Sequence, residues 1–228
     1  MQSRNPLFDL REKRYLCSKT HETMQTNDTT PRTFDKDHWK PGTLIYPLPA
    51  VLVSCGATPE EYTMLTVAWT GTVCTNPAMC YISVRPERHS YEIIRRTGAF
   101  VINLTTRDLA RATDWCGVKS GHDVDKFHEM GLTALPATEV EAPLIGESPV
   151  NIECRVKQII PLGSHDMFLA EVVHVDVDRS LIDPDTQKFC LERANLIAYA
   201  HGEYFDLGKS LGHFGWSVKK KKTARRKK

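Results

Sequence analysis

The sequence predicts a mainly β domain, a β-barrel with a few short helices. About seven to nine runs rich in β-branched and aromatic residues are joined mostly by short turns, so that neighbours in sequence can pair as antiparallel strands. The helical stretches are short, whereas a doubly wound α/β sheet needs a helix between most of its strands. A closed or split antiparallel barrel is therefore favoured.

The first half of the predicted domain holds most of its helices. The run 79–84 reads as a strand, and Pro86 then introduces a helix with its body at 89–97, which Gly98 ends as a left-handed cap. We expect Thr105 to cap a second helix, which runs into the GVKSG loop at 117–121, and Gly131 to end a third at 123–130. Further strands are expected at 44–46, 50–55, 63–69 and 100–104.

The second half predicts a half-buried hairpin. Apolar and polar residues alternate cleanly over 150–156, which would place Glu153 on the solvent face, and a similar pattern covers 169–177. Residues 163–166 provide the turn. A last strand is expected at 196–199, followed by a stretch rich in glycine and aromatic residues at 201–215.

Composition limits the class of protein. The chain has 228 residues, 41% of them apolar, which suits one globular domain with appendages. No apolar run approaches the roughly 20 residues that span a bilayer, and the first residues lack the apolar core of a secretory signal. Seven scattered cysteines without a CxxC pair indicate free thiols in a reducing compartment. We therefore expect a cytoplasmic protein.

Charge is unevenly distributed along the chain. The net charge is +2, yet the last ten residues, KKKKTARRKK, carry eight cations and no acid, so the remainder is acidic. We expect residues 1–38 to form a flexible extension, 39–218 the folded domain, and 219–228 a basic disordered tail. The alternative for the tail is salt-sensitive attachment to nucleic acid or anionic lipid.

One cluster of residues predicts an anion site. Ser83 and Arg85 share a face at a strand end, and His89 and Ser90 lie in the first turn of the following helix. A helix start offers free backbone N–H groups and the positive end of a dipole, both of which attract phosphate. The alternative is an ordinary helix cap beside a solvated arginine.

Other candidate ligand contacts are weaker when taken singly. Alternating Thr66, Ala68, Thr70 and Thr72 present a small polar face that could lie against a planar ring, or simply be the outer face of a sheet. The remaining candidates are Lys119 and Ser120 between glycines, the polar aromatics Tyr199, His201 and Tyr204, and a redox role for Cys116 beside the glycine loop.

Familiar catalytic signatures are missing from the sequence. It contains no GxGxxG after a strand, no P-loop, no GxSxG and no HExxH. If the chain is an enzyme, a cofactor carries the chemistry. We therefore assign no catalytic residue.

Several separated stretches, taken together, resemble the flavin reductase-like family, and within it the flavoredoxin type. They are LTVAWTGTVCTNPAMCYISVRPERHSYEIIRRTGAFVINL, ATDWCGVKSGHDVDKFHEMGL, SPVNIECRV, GSHDMFLAEVVHVDV and AYAHGEYFDLGKSLGHFGWSVKKK, in family order over roughly residues 40–220. The resemblance implies an FMN-binding split barrel that forms a homodimer with flavin near the subunit interface.

The resemblance also implies contacts for particular residues. The ring and ribityl chain would meet Thr66, Val67, Ala68, Thr72, Val73 and Cys74. The phosphate would be held by Arg85, His89, Ser90 and Tyr91, beside Ser83. Lys119 and Ser120 would close over the cofactor, and His201 and Tyr204 would lie near the flavin or the incoming reductant.

The implied activity is electron transfer from NAD(P)H through bound FMN to a flavin, ferric or protein acceptor. The first alternative is a flavoredoxin-type FMN electron carrier without a nicotinamide site, which receives its electrons from a redox protein. The second is a protein that binds nucleic acid or an anionic surface through the basic tail. We expect no membrane partner, and the acidic body gives no support for nucleic acid binding.

Overall fold

A computed structural model of the chain describes residues 34–219. Residues 34–42 contain no assigned helix or strand. The predicted extension before residue 34 and the tail after 219 lie outside the described residues. The strands are β1 Leu48–Pro49, β2 Val51–Cys55, β3 Thr63–Val67, β4 Thr70–Cys74, β5 Met79–Val84, β6 Ala99–Leu104, β7 Ala134–Leu135, β8 Leu144–Ile145, β9 Val150–Pro161, β10 Asp166–Val177, β11 Ile197–Ala200 and β12 Glu203–Asp206.

Helices are few and short. They are α1 His89–Thr97, α2 Ala110–Val118 and α3 Lys126–Met130, with 3-10 turns at Pro59–Glu61, Arg179–Leu181, Leu191–Ala194 and Trp216–Val218. No helix in the described part of the chain is long and apolar enough to cross a membrane. The predicted helix body at 89–97 matches the observed helix, which begins after Pro86 rather than at it, and Gly98 adopts the left-handed conformation with φ of 67°.

Seven antiparallel strands form one curled sheet in the order β3-β2-β6-β9-β10-β5-β4. β3 and β4 follow each other in sequence but lie at opposite edges of the sheet. The two residues between them bring the edges together, since the Trp69 carbonyl accepts a 2.8 Å hydrogen bond from the Ser83 amide of β5. The mainly β prediction and the split-barrel fold are confirmed, and β1, β11 and β12 form a second, small sheet.

The inner face of the large sheet carries the main core. Fully buried Val53, Ile82, Phe100 and Phe168 pack there, and Ile94 of α1 covers them. Burying each such side chain contributes about 1.5–3 kcal/mol. This rigid core holds the start of α1 beside the ends of β3 and β5.

The outer face holds a second, more polar layer. Glu153 is fully buried rather than solvent-exposed as predicted, because its carboxylate accepts hydrogen bonds of 2.7–3.1 Å from the backbone amides of Thr138, Glu139 and Val140. Asn103 donates to the Leu52 carbonyl at 2.9 Å in the same layer. Strand alternation could not reveal this layer, because residues distant in sequence cover it.

Several predicted bounds were wrong for identifiable reasons. The strand expected at 44–46 is replaced by β1, which pairs Leu48 with Tyr199 of β11. The run 63–69 stops at Val67, and a new strand starts at Thr70. Thr105 is not a helix cap, because its buried hydroxyl donates to the Ala50 carbonyl and α2 begins only at residue 110.

Candidate functional site

Two adjoining cavities lie where β3, β5, α1 and α2 meet. The larger has a volume of about 390 Å³ and the smaller about 110 Å³. Leu65, Arg88 and Val118 line both, so the two cavities are neighbours along one wall. We refer to the larger as the cleft and to the smaller as the anion pocket.

The cleft has an apolar floor and a polar rim. Its floor comes from Ala50 and from the end of β3, and its rim carries Arg85, Asp114 and Tyr204. The complete lining consists of Ala50, Leu65, Thr66, Val67, Ala68, Trp69, Ser83, Val84, Arg85, Arg88, Asp114, Gly117, Val118, His165, Tyr199 and Tyr204. Its volume falls in the range of about 300–1,000 Å³ typical of small-molecule sites.

Two aromatic rings in the cleft wall are nearly parallel. The Trp69 and His165 rings have an interplanar angle of 6° and centroids 6.3 Å apart. Trp69 is in this wall because the strand breaks at Ala68 and Trp69, where the Thr70 amide donates to the Ala68 carbonyl at 3.0 Å. Flat rings that border an apolar cleft suit a planar aromatic ligand.

The anion pocket is built on the start of α1. Arg88 occupies the cap position, and no side chain caps the first amides of the helix. Its wall contains Arg88, His89, Lys119 and Lys126, and Glu87 is the single acid among the residues that line it. Ser90 and Ser120 add hydroxyl groups. Uncapped helix amides with an excess of cations are the features that bind phosphate.

Lys126 is the most unusual member of this pocket. It is 3% exposed, and its ammonium group donates a 2.7 Å hydrogen bond to the neutral carbonyl of Cys116. No ion pair to Lys126 occurs within residues 34–219. Burial lowers the pKa of Lys126, and the nearby Arg88 guanidinium lowers it further. A buried cation is costly without a partner anion, and Lys126 is therefore a candidate contact for an anionic ligand.

Comparison with known proteins identifies the fold. The model of the flavin reductase like domain matches residues 43–208. The chain belongs to the flavin reductase-like family. The family predicted from the sequence is therefore confirmed. Family membership supports a flavin-linked redox function and the predicted cofactor, FMN.

The similar structures include flavoredoxins. The chain is 30% identical to flavoredoxin of Desulfovibrio vulgaris (Miyazaki F), with a TM-score of 0.75 over 81% of this chain and 100% of that one. Flavoredoxin from Methanosarcina acetivorans shares the fold at 22% identity, with a TM-score of 0.71 over 82% and 100%. An uncharacterized protein of Archaeoglobus fulgidus is 28% identical over 131 residues, or 58% of this chain and 73% of its own.

Most of the residues predicted for the flavin site lie together in this family fold. The cleft is lined by Thr66, Val67, Ala68, Ser83 and Arg85, and also by Tyr204. The anion pocket is lined by His89, Ser90, Lys119 and Ser120. The hydroxyl of Thr66 donates to the Thr113 carbonyl, so that side chain fastens α2 to β3 while it borders the cleft.

Tyr91 lies elsewhere. Its side chain is buried in the barrel core, where its ring packs edge-on against Phe168, and its hydroxyl donates to the Asp166 carboxylate at 2.5 Å. Its backbone amide donates to the Arg88 carbonyl at 2.9 Å. Both donors of Tyr91 are therefore already used within the chain, and neither lines the anion pocket.

Four further predicted residues do not line either cavity. Thr72, Val73 and Cys74 are on β4, the edge strand of the sheet, where Thr72 and Val73 are exposed. His201 is in the exposed turn of the β11–β12 hairpin, with φ of 49° and its ring edge-on to Tyr46. Contact of these four residues with a cofactor stays a prediction.

Several residues that line the site were not predicted from the sequence, among them Trp69, Arg88, Asp114, Lys126 and His165. His165 comes from the β9–β10 hairpin, and no local pattern relates it to β5. Lys126 had a signal, because a lysine followed by phenylalanine at the start of a short helix can be buried with that helix. Lys126 becomes a candidate ligand contact only because the structure shows no ion-pair partner for it among the described residues.

We expect Cys116→Ala to leave flavin reduction within about twofold of the parent. The Cys116 side chain is fully buried, and burial raises its pKa to about 11. A thiol that stays protonated at neutral pH is a poor nucleophile. Stopped-flow absorbance measures the rate, and a loss of tenfold or more with retained flavin would restore the redox role.

Acid is expected to destabilise the protein through His165. Burial lowers the pKa of His165, and the Arg85 guanidinium contributes. At a pH above the unfolded-state pKa of about 6.5, the imidazole is neutral in both the folded and the unfolded chain. As the pH falls below that pKa, the unfolded chain takes up a proton before the folded chain does. The free energy of unfolding should therefore fall from pH 7 towards the lowered pKa.

Urea unfolding at stepped pH measures this dependence. His165→Gln should make the dependence shallower, because glutamine keeps a polar side chain without a titratable group. His89, whose pKa is also lowered by burial, keeps its own contribution. His213→Gln, in an exposed segment outside the cleft, is the matched control and should retain the parental slope. An unchanged slope in His165→Gln would contradict the assignment.

Proposed function

We propose that the chain is an FMN-binding oxidoreductase that takes electrons from NAD(P)H and passes them to a flavin, ferric or protein acceptor. One observation carries the proposal: an apolar cleft bordered by flat rings adjoins a cationic pocket at a helix start. FMN has the same division, a planar ring joined by a polar chain to a phosphate.

The residues present suit FMN at both ends. The phosphate would be held by the uncapped amides of α1, by the Ser90 hydroxyl and by the buried ammonium group of Lys126. A dianion there would supply the partner that this ammonium lacks in the described chain. The ring would lie on the small residues Ala50 and Ala68 beside the Trp69–His165 pair.

Bound FMN would supply the electron-accepting ring and its two-electron chemistry. The chain's own residues bind, orient and exclude water. Arg85 and Arg88 provide positive charge at the cleft, which stabilises negative charge on a bound ring. Lys119 and Ser120 border the pocket on an exposed loop, in a position to close over the ligand. We assign no proton transfer to any side chain.

The second candidate is an electron carrier without a nicotinamide site. Similarity to a flavoredoxin along that protein's whole length favours it. The two functions share the flavin site and differ only in what approaches the cleft, so the fold does not decide between them.

An anaerobic spectroscopic titration tests both functions. The purified chain is saturated with FMN, and its visible flavin band is followed after addition of NADH or NADPH. Rapid bleaching supports the oxidoreductase. A band that persists with both nucleotides but bleaches with a reduced ferredoxin-type protein supports the carrier. Failure to retain FMN at micromolar concentration would overturn both.

The proposal extends to assembly and compartment. We propose a cytoplasmic homodimer, consistent with the six free thiols among the described residues. The proposed folded domain is 39–218, flanked by an extension at 1–38 and a basic tail at 219–228.

A further inference from the structure

Two carboxylates and one imidazole meet on the outer face of the large sheet, outside the cleft and the anion pocket. Glu153 of β9 is paired directly with His174 of β10, and Asp176 follows two residues later on the same face of β10. One donor atom from each of the three side chains lies within 4.8 Å of the other two. We refer to Glu153, His174 and Asp176 as the carboxylate–histidine cluster.

Glu153 is the fixed member of the cluster. Its side chain is fully buried, and its two carboxylate oxygens accept hydrogen bonds of 2.7–3.1 Å from the backbone amides of residues 138–140. Those donors are neutral, and no Lys or Arg within residues 34–219 forms an ion pair with Glu153. A carboxylate has about four acceptor positions, so one position is still open and the charge lacks a counter-ion in the described chain.

Asp176 contributes an acceptor atom that no group in the described chain satisfies. Its Oδ2 atom is buried and has no hydrogen-bond partner, while its Oδ1 atom lies 3.5 Å from Nε2 of His174. Buried polar atoms are nearly always paired, and each exception needs a physical explanation. The Asp176 and Glu153 carboxylates also repel each other when both are ionised. A cation between them would supply the partner that Oδ2 lacks and would relieve the repulsion.

The residue types indicate which cation suits the cluster. Ca²⁺ and Mg²⁺ take oxygen ligands and would leave His174 unused, whereas Zn²⁺ accepts imidazole nitrogen together with carboxylate oxygen. Each bond to Zn²⁺ is about 2.0–2.2 Å long, so the donor atoms of one ion lie about 3–4 Å apart. The cluster needs a movement of about 1 Å to reach that spacing. The His174 and Asp176 side chains are 38% and 34% exposed and have room to make it.

We propose that Glu153, His174 and Asp176 form a structural site for a divalent transition-metal ion, with Zn²⁺ as its best-suited occupant. Three protein ligands leave the fourth position to water. The ion would join β10 to β9 and, through Glu153, to the covering segment 138–140. A strand rises about 3.3 Å per residue, so Asp176 lies roughly 30 Å along β10 from the cleft end of that strand. The proposal therefore does not rest on the FMN site.

Binding of Zn²⁺ to the full-length chain tests the proposal. The protein is treated with EDTA, freed of the chelator and titrated calorimetrically with ZnCl₂ in the absence of FMN. The parent should bind Zn²⁺ in the micromolar range or more tightly, and His174→Gln and Asp176→Asn should each weaken that binding by about tenfold or more. His128→Gln removes an exposed histidine that lies 3.9 Å from Glu129, so it is the matched control and should bind as the parent does.

A Co²⁺ spectrum distinguishes the cluster from a thiolate site. Among the described cysteines, Cys74 is the one that is not buried, and a thiolate can also bind Zn²⁺. Co²⁺ held by nitrogen and oxygen gives weak visible bands, whereas thiolate ligands add an intense charge-transfer band in the near ultraviolet. The parent should show only the weak bands, and His174→Gln should lose them. An intense charge-transfer band would assign the ion to cysteine and overturn the proposal.

Thermal unfolding provides a second measurement. Because the ion binds the folded chain, excess Zn²⁺ should raise the Tm of the parent and of His128→Gln, and it should leave the Tm of both cluster variants unchanged. Without metal, Asp176→Asn should be at least as stable as the parent, because one of the two repelling charges is gone. A parent that takes up no Zn²⁺, or cluster variants that keep the parental affinity and Tm shift, would overturn the proposal.

Discussion

Lys126→Met is expected to weaken FMN binding by about 10- to 100-fold while leaving the unliganded protein at least as stable as the parent. The ammonium group is 3% exposed and is bonded to one neutral carbonyl, so its charge is costly until an anion arrives. Methionine fills a similar volume without that charge. A charge-assisted contact to phosphate contributes about 1.5–3 kcal/mol, which the variant loses.

Two measurements on the same samples check this prediction. Isothermal titration gives the Kd for FMN, and urea unfolding without ligand gives the free energy of unfolding. Lys119→Met is the matched control, because Lys119 lines the same pocket but is exposed, and its effect should be smaller. Parental affinity in Lys126→Met, or a loss of unliganded stability above about 2 kcal/mol, would show that the ammonium is structural.

The pH dependence of FMN binding provides an independent test of the Lys126 contact. Because burial lowers the pKa of Lys126 below its usual 10.5, the ammonium deprotonates at a lower pH than an exposed lysine. FMN affinity should therefore fall as the pH rises towards that lowered pKa. Lys126→Met should remove this alkaline decline, while Lys119→Met should retain it.

Arg85→Ala is expected to weaken FMN binding by about 10- to 100-fold, the loss of one charge-assisted contact. The sequence assigns Arg85 to the phosphate, yet its side chain lines the larger cleft, and Arg88 is the arginine shared with the anion pocket. Comparing FMN with riboflavin, which lacks the phosphate, separates the two roles. Loss of a phosphate contact lowers the affinity for FMN alone, whereas loss of a ring contact lowers the affinities for FMN and riboflavin equally.

Arg88→Ala completes the comparison. Because Arg88 borders both cavities, its loss should reduce FMN binding more than riboflavin binding. An equal loss of affinity for FMN and riboflavin in Arg85→Ala would show that Arg85 contacts the ring rather than the phosphate. Unchanged FMN binding in Arg85→Ala would remove it from the site.

Local patterns in the sequence were informative wherever a short stretch alone sets the structure. The helix body at 89–97 follows from its apolar spacing and from Gly98, so both could be predicted from the sequence. The antiparallel hairpin around residues 163–166 followed from two alternating runs. Family motifs added the cofactor, because they combine several such stretches in one order.

Contacts between distant segments were beyond these patterns. Glu153 alternates like a solvent-facing residue, but residues 138–140 fold over it and supply three amides. Thr66 and Thr72 look like members of one face, but the break at Ala68 and Trp69 sends Thr72 to the opposite edge of the sheet. In both cases the two-residue alternation of side chains along a strand does not show which other segments cover that strand.

The sequence by itself determined the mainly β class, the helix start that can bind phosphate, and membership of a flavin-binding family. Only the tertiary structure decided which side chains share the site. It brought Lys126 from α3 and His165 from a hairpin to the ends of β3 and β5, and it placed Tyr91 in the core. The physical reason is that strand and helix periods are local, whereas the curl of the sheet and the burial of a charge depend on segments far apart in the chain.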